Sequence, residues 1–305
     1  MTGIGIIANP NSKSNKRNPQ NQEILSYIAG EQGIFRATKN IAELSEVAQD
    51  FKERGIQILA INGGDGTISH TLTAFVKAYG QEKLPKFAVL GGGTINLILE
   101  NLGLSGRPAD ILFRLIEAYS RGETLQSVTI NSLHVDEFYG FFCGTGICPN
   151  FLHRYYNSRT GKLGAFMLVI KLIYSYLRDS ALINDVIYDQ DYLLTLSQST
   201  LTHRSLGVLC CTLEKLPFKR RLFPKSTESF HGLSLGYSKK SLVRNFFYDF
   251  LFHPLGRQAG KIRFQDKALS ISASNLTYTI DGELFAAKSS KLDIELGPQV
   301  QFILI

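Results

Sequence analysis

The glycine-rich turn Ile61-Asn62-Gly63-Gly64-Asp65-Gly66-Thr67 ends an apolar run that begins at Ile56, and an apolar helical pattern follows it to Tyr79. The same order of apolar run, turn and helical pattern occurs before it, at residues 4–30, and after it, at residues 87–102. Regular alternation of strands and helices is typical of a parallel sheet that helices cover on both faces. We therefore expect residues 1–125 to form an α/β domain with a parallel sheet.

The pattern changes beyond residue 125, where short alternating runs replace the strand–helix repeat. These runs predict antiparallel strands at residues 128–135, 139–143, 192–197, 207–212, 232–236, 261–264, 269–273 and 277–280. Two apolar helical patterns, at residues 162–178 and 240–252, interrupt them. We expect a second domain over residues 126–305 that is β-rich and sandwich-like with helical insertions. The last strand, residues 299–305, either returns to the first domain or completes the second.

Composition indicates a folded protein of a reducing compartment. Hydrophobic residues make up 44% of the chain and charged residues 19%, which excludes a disordered chain. The four cysteines are too few for a disulfide scaffold and lack the paired spacing of a zinc site. The longest apolar stretch, residues 163–177, is shorter than the roughly 20 residues that cross a bilayer. We expect a cytoplasmic location and no transmembrane segment.

Basic charge is concentrated in the second half of the chain. The net charge is +7, of which +1 falls in residues 1–125 and +6 in residues 126–305. One cluster interleaves cations with apolar residues and consists of Lys215, Lys219, Arg220, Arg221 and Lys225. Such a cluster is typical of a peripheral contact with a membrane surface, although a solvated loop has the same pattern. No nucleic-acid-binding module accompanies the charge, so nucleic acid is not an expected partner. The sequence indicates no oligomeric state.

The glycine-rich turn after Ile61 has the features of an anion-binding loop. Loops at the carboxyl ends of parallel strands share one edge of the sheet, where ligands bind. Gly63, Gly64 and Gly66 let a phosphate approach the main chain. The helix predicted from Ile68 points free N–H groups at the same place, and Thr67 adds a hydroxyl donor and a predicted helix cap.

Asp65 is the unexpected residue of this turn. A carboxylate repels phosphates unless Mg²⁺ bridges the two groups or the carboxylate takes part in proton transfer. The next turn, Gly91-Gly92-Gly93-Thr94-Ile95-Asn96, repeats the design. In it Thr94 is the predicted cap, and Asn96 can reach a neighbouring loop or the substrate. Tight turns with helix caps would explain either turn alone, but two in consecutive units favour a phosphate site.

These segments resemble the nucleotide-binding motifs of the diacylglycerol kinase catalytic superfamily, which includes bacterial lipid kinases and the sphingosine and ceramide kinases. Residues 61–67 are similar to its central motif and residues 93–96 to its Gly-Thr-x-Asn segment. Ala8-Asn9-Pro10-Asn11-Ser12 resembles its first phosphate loop, and Thr38 stands where the family has a threonine before the next helix. Ile280-Asp281-Gly282-Glu283 is similar to its Asp-Gly-Glu motif. The resemblance extends from residue 4 to residue 285 in the family's order.

The resemblance implies a kinase that uses ATP and Mg²⁺ to phosphorylate a hydroxyl of diacylglycerol or a related membrane lipid. The residues that it implies around ATP are Asn9, Ser12, Thr38, Gly63, Gly64, Asp65, Gly66, Thr67, Thr94 and Asn96. Glu283 would be the base that accepts the proton of the lipid hydroxyl, and Asp65 would hold Mg²⁺ or the attacking group. The family's second domain is a β-rich lid over the lipid cleft. From the residues alone, Asp281-Gly282 favours a hairpin turn.

Several positions depart from the family pattern and keep other functions open. Lys13 replaces a glycine of the first loop, and Leu97 replaces an aspartate. Ser69 and His70 replace an Asn-Glu pair, and His231 aligns with an aspartate of the lid, which puts a structural Mg²⁺ site in doubt. The alternatives are a non-catalytic nucleotide- and lipid-binding relative and, less favoured, an NAD kinase, whose downstream Thr-Gly-Ser-Thr-Ala-Tyr run is absent. No histidine has a carboxylate at the spacing of a metal site.

Overall fold

The computed structural model describes most of the chain. The described residues are 3–80, 82–93, 96–157, 186–216, 220–221, 223–224, 226, 228–236 and 261–305. The helices predicted at residues 162–178 and 240–252 lie outside these ranges. Within them, no helix is long and apolar enough to cross a membrane.

The N-terminal part of the chain alternates strands and helices. Its strands are β1 (Ile4–Ala8), β2 (Gly33–Ala37), β3 (Ile58–Gly63), β4 (Lys86–Gly92) and β5 (Ser127–Val135). Its helices are α1 (Lys13–Arg17), α2 (Asn21–Ala29), α3 (Ile41–Glu53), α4 (Asp65–Tyr79), α5 (Leu97–Leu102) and α6 (Pro108–Ser120).

The rest of the described chain is rich in strands. These are β6 (Phe138–Gly140), β7 (Phe142–Thr145), β8 (Gln190–Leu196), β9 (Thr200–Ser205), β10 (Val208–Cys211), β11 (Lys215–Leu216), β12 (Arg220–Arg221), β13 (Phe230–Leu235), β14 (Lys261–Asp266), β15 (Ala268–Ser272), β16 (Thr277–Ile280), β17 (Glu283–Ala286) and β18 (Lys291–Ile303). One further helix, α7, spans Ile147–Asn157. The predicted class, an α/β region followed by a β-rich region, is confirmed.

Contacts group the chain into two units. The first unit combines Met1–Ser132, Glu137–Gly140 and Pro298–Ile305, and the second combines Leu133–Asp136 and Phe141–Gly297. The first unit extends past residue 125 because β5 pairs with β6 and β18. Of the two courses open to the last strand, the structure shows the return to the first unit, where Phe302 pairs with Phe87 of β4.

The first unit is built on a parallel sheet in the order β2-β1-β3-β4-β18. Every residue of β1 is buried, as expected for a strand that helices cover on both faces. Ile4 and Ile6 pack with Leu25 of α2 and Leu115 of α6 in one apolar cluster. Gly5 points to the opposite face, where a Cβ atom would collide with the ring of Phe51 in α3.

The second unit contains a sheet in the order β14-β13-β10-β7-β16-β17, in which all neighbours are antiparallel. Strand β15 pairs with β8 and with the first part of β18, and β8 forms an antiparallel pair with β9. Strands β11 and β12 form a short antiparallel pair that sets Lys215 opposite Arg221. This pair carries part of the basic cluster, while Lys219 and Lys225 lie outside the described residues.

Some local features differ from the sequence-based expectation. Helix α4 begins at Asp65 rather than Ile68, because Gly64 in an extended conformation is its N-cap. The expected strand at residues 139–143 is divided into two strands, β6 and β7, and Phe141 lies between them. The pattern misses β2, a half-buried strand at the end of the sheet, and α1, which contains no apolar residue.

Candidate functional site

The carboxyl ends of four parallel strands meet at one edge of the first unit's sheet. The register pairs Ala8 of β1 with Ala37 of β2 and with Asn62 of β3, and it pairs Asn62 with Gly91 of β4. The loops after these strands therefore begin at the same level. The chain passes from β1 to β2 on one side, whereas β3 lies on the other side, so the strand order reverses between β1 and β3. Ligands of open α/β sheets bind at such a reversal.

Asn9 ties the loop after β1 to the loop after β3. Its Nδ2 donates to Thr67 Oγ1 at 2.9 Å, and its main-chain N–H donates to the carbonyl of Asn62 at 3.0 Å. Its Oδ1 accepts the N–H of Asn11 at 2.8 Å, which closes a local turn. Both ends of the Asn9 amide are thus used within the protein, and they fix the shape of the loop.

The two glycine-rich turns pack main chain against main chain. A Cβ atom on Gly93 would lie 2.5 Å from Cα of Gly64, and one on Gly64 would lie 3.0 Å from Cα of Gly93. Gly92 has a φ of +132°, a conformation that other residues rarely adopt. Glycine is therefore required here both by space and by conformation.

The N-terminus of α4 opens at the same edge. The N-cap residue, Gly64, has no side chain that could cap the helix. The N–H groups of Asp65, Gly66 and Thr67 precede the first helical hydrogen bond, from Ile68 N–H to the Gly64 carbonyl at 3.1 Å. Such N–H groups and the helix dipole favour an anion such as a phosphate. The prediction that Thr67 caps the helix is wrong, because Thr67 is the third residue of α4 and Gly64 is the N-cap. Its hydroxyl accepts the Asn9 amide.

Asp65 joins the first turn of α4 to that of α5. Its Oδ2 accepts the N–H of Leu97 at 2.8 Å, and its Oδ1 accepts the N–H of Ile98 at 3.1 Å. Burial raises the pKa of Asp65; the two N–H groups oppose this effect, and the negative charge of Glu100 adds to it. Each carboxylate oxygen still has a second lone pair available for a metal or a donor.

The second glycine-rich turn is closed by Asn96. This residue has a φ of +55° and precedes α5, and its Oδ1 accepts the N–H of Gly93 at 2.9 Å. The Asn96 side chain therefore bonds to its own turn. Thr94 lies outside the described residues.

The other predicted residues of the first unit lie around this edge. Thr38 directly follows β2, is buried, and donates its N–H to the Ala8 carbonyl at 3.0 Å. The N–H of Ser12 donates to the Asn9 carbonyl at 3.1 Å, and Lys13 is the first residue of α1. The structure thus brings the loops after β1, β2, β3 and β4 to one place, as the prediction of a phosphate site requires.

One buried residue of this edge, Asn15 of α1, has no signal in the sequence. It stands in the polar segment Lys13-Ser14-Asn15-Lys16-Arg17, which is typical of an exposed surface. In the structure its side chain is 1% exposed and its amide donates to Asn9 and Asn62.

Glu283 belongs to the second unit and follows a tight hairpin turn between β16 and β17. Asp281 and Gly282 have φ values of +47° and +92°, as a type I′ turn requires. The Asp281 carboxylate accepts the N–H groups of Phe141, at 3.0 Å, and Phe142, at 2.8 Å. The hydroxyl of Tyr156 in α7 donates to the Gly282 carbonyl at 2.6 Å. The turn is thus anchored on two sides, and Glu283 begins β17 with an exposed side chain.

His231 packs against an aromatic ring in the second unit. It stacks on Phe223 with ring centroids 5.0 Å apart, and burial lowers the pKa of the imidazole. Among the described residues, no group of three or more His, Cys, Asp or Glu side chains is placed to hold a metal ion.

Part of the chain matches a known protein family. Residues 4–128 match the family described as the diacylglycerol kinase catalytic domain. No curated protein matches the sequence significantly. The family match indicates a kinase-type enzyme. The N-terminal part of the chain, residues 4–128, is thus similar to the diacylglycerol kinase catalytic domain.

Solved structures share the fold over nearly the whole chain. A diacylglycerol kinase from Bacillus anthracis matches with a TM-score of 0.65 and 14% identity, covering 99% of this chain and 96% of that one. A further diacylglycerol kinase candidate from the same organism matches with a TM-score of 0.72 and 15% identity, at the same coverage. An NAD kinase from Archaeoglobus fulgidus in complex with ATP matches with a TM-score of 0.52 and 11% identity, covering 98% of this chain and 92% of that one. At these identities the matches establish the fold alone.

Proposed function

We propose that the protein is an ATP-dependent lipid kinase that transfers the γ-phosphate of ATP to a hydroxyl of diacylglycerol or a related lipid. The observation that carries this proposal is the uncapped N-terminus of α4 beside the glycine-rich turns, where the strand order reverses. The family match over residues 4–128 and the similar fold of an NAD kinase solved with ATP support ATP as the nucleotide.

In this proposal the first unit binds the nucleotide mainly through its main chain. The N–H groups of Asp65, Gly66 and Thr67 donate to phosphate oxygens, and Gly63 and Gly64 leave room for their approach. The role proposed for Asn9 is to fix the conformation of the loop after β1. Its hydrogen bonds with Thr67 and Asn62 support this role. The remaining candidates for contact with ATP are Ser12, Thr38, Thr94 and Asn96.

The donor set fits a Mg²⁺ ion that arrives with the nucleotide. Mg²⁺ in kinases is held by one or two carboxylates together with phosphates and water, so a protein cage is not required. Asp65 is the carboxylate of the phosphate-binding edge, and its free lone pairs make it the proposed ligand. When bound, the ion would offset negative charge on the phosphates.

We propose Glu283 as the base that accepts the proton of the lipid hydroxyl. Replacing Glu283 by Gln keeps the size of the side chain but removes its ability to take a proton. We expect turnover to fall by about 10²- to 10⁴-fold while ATP binding is unchanged. The matched control is Glu295→Gln, the same change at an exposed position of β18. Full turnover by Glu283→Gln would show that another group is the base.

The direct test of the function is transfer of labelled γ-phosphate to a total lipid extract in the presence of Mg²⁺. A labelled lipid supports the proposal and identifies the acceptor by its mobility. A parallel reaction with NAD tests the NAD kinase alternative. Label in NAD and none in lipid would overturn the lipid assignment.

A non-catalytic nucleotide- and lipid-binding protein is the second candidate. It is favoured by the engagement of both Asp65 oxygens with α5 and by Leu97, which supplies only a main-chain N–H where the family has a carboxylate. Binding of ATP and of lipid vesicles without any ADP release would support it. Lipid-dependent ADP release would exclude it.

A lipid acceptor would bring the protein to the cytosolic face of a membrane. The basic cluster on β11 and β12 is the proposed contact, because cations interleaved with apolar residues favour an anionic lipid surface. Salt-sensitive binding to anionic vesicles, and none to neutral ones, is the expected result. Equal binding to both would contradict an electrostatic contact.

A further inference from the structure

We infer that Asn15 and Asn62 form a positioning pair for the nucleotide site. Their amide–amide hydrogen bond holds the loop after β1 against the loops after β3 and β4. We do not propose that either side chain contacts the nucleotide. The inference rests on the proposed function and deepens it, because it names the residues that set the shape of the phosphate-binding edge.

Both members of the pair are buried, and three of their four side-chain amide atoms are hydrogen-bonded. Asn15 is 1% exposed and Asn62 is 0% exposed. Nδ2 of Asn15 donates to Oδ1 of Asn62 at 2.7 Å and to the carbonyl of Asn9 at 2.8 Å. Nδ2 of Asn62 in turn donates to the carbonyl of Gly91 at 2.8 Å. One amide pair therefore connects α1, the first loop, β3 and the end of β4.

The direction of these bonds permits one arrangement of the pair. Asn62 must present its oxygen to Asn15 and its nitrogen to Gly91, since a carbonyl oxygen cannot accept from another carbonyl. A residue at position 15 that only accepts hydrogen bonds would face the Asn62 oxygen and the Asn9 carbonyl without a donor. Buried polar atoms left in this way are costly, so the loop after β1 would move to relieve them.

Movement of this loop would reach the proposed phosphate site. The Asn9 carbonyl that Asn15 holds belongs to the residue whose side chain donates to Thr67 in the first turn of α4. Asn9 also donates its N–H to the Asn62 carbonyl. Asn15 is thus connected to the N-terminus of α4 through Asn9 and also through Asn62, which lies two residues before the N-cap Gly64.

The test compares Asn15→Asp with Asn18→Asp. Both variants make the same chemical change and add the same charge, but Asn18 is exposed at the C-terminal end of α1. The measurement is the Kd of a fluorescent ATP analogue, at a temperature where circular dichroism shows every variant to be folded. We expect Asn15→Asp to bind about tenfold more weakly and Asn18→Asp to remain within about twofold of the unmodified protein. Equal affinity of the two variants would overturn the inference.

A double-mutant cycle gives a second measurement that does not depend on the aspartate variant folding. Asn15→Ala and Asn62→Ala are each expected to weaken binding, and the double variant should lose less than the product of the two single losses. Independent, multiplicative losses would overturn the pairing. If the unmodified protein does not bind the analogue, the proposed function fails and the inference fails with it. If it binds and Asn15→Asp binds equally well, the inference alone fails.

Discussion

Removing the Asp281 carboxylate is expected to destabilise the second unit strongly. Asp281 is 9% exposed, and its carboxylate accepts the N–H groups of Phe141 and Phe142, which lie where the chain passes from β6 to β7. Phe141 is fully buried, so its N–H cannot turn to water when the carboxylate is lost. The position is therefore suited to a quantitative test with a graded series of substitutions.

The contacts set the expected size of each effect. A hydrogen bond to a charged group contributes about 1.5–3 kcal/mol, so loss of two such bonds in Asp281→Gly should lower the free energy of unfolding by about 3–6 kcal/mol. Asp281→Ala should cost about 1 kcal/mol more, because a Cβ atom is strained at a φ of +47°. Asp281→Asn should cost only about 1–2 kcal/mol, because asparagine tolerates this conformation and keeps one acceptor oxygen.

Urea unfolding followed by circular dichroism measures these differences, since the chain contains no tryptophan. The control is Asp293→Ala on β18, whose side chain is 54% exposed, pairs with Lys291 and accepts the Ser270 hydroxyl. An exposed ion pair contributes at most about 1 kcal/mol, so this variant should remain close to the unmodified protein. The reasoning would be refuted if Asp281→Ala were no less stable than the control, or if the asparagine and alanine variants were equally unstable.

Two further predictions follow from close packing and from burial. Gly93→Ala should weaken binding of the ATP analogue by about tenfold or more, because the added Cβ would lie 2.5 Å from Cα of Gly64. Unchanged binding would contradict the close packing of the two turns. The thiols of Cys143, Cys210 and Cys211 are buried, and burial raises their pKa, that of Cys211 to about 12. These thiols should therefore resist a disulfide reagent at pH 8 in the folded protein and react after unfolding in urea. Rapid labelling of the folded protein would contradict this prediction.

The sequence predicts the strands and turns of the first unit well because their signals are local. Strands β1, β3 and β4 are buried on both faces, so they are continuous apolar runs that end in glycine or asparagine. Strand β2 has no such run, because it is half-buried at the end of the sheet. Its place is fixed by pairing with β1, an interaction that spans about thirty residues and leaves little trace in a short window.

The sequence predicts that the glycine-rich turns lie together, but it does not predict the contacts within them. Gly64, Gly92 and Gly93 need either space or an unusual φ, and glycine runs between a strand and a helix are typical of a phosphate site. The partner of the Asp65 carboxylate is a pair of main-chain N–H groups in α5, which no side-chain pattern reveals. Thr67 illustrates the same limit, because capping and accepting the Asn9 amide are both open to a threonine near a helix N-terminus. Tertiary contacts choose between the two.

Strand β18 makes the order of synthesis matter for the first unit. The outer partner of β4 comes from residues that a ribosome adds only after the whole second unit has been translated. Phe302 is fully buried in that position, and its ring meets that of Phe87 edge-on with centroids 6.0 Å apart. A nascent chain would expose the unpaired β4 edge and this aromatic surface, which are features that promote aggregation and chaperone capture. A polypeptide released before β18 is translated would keep this strand edge exposed, so it would remain prone to aggregation.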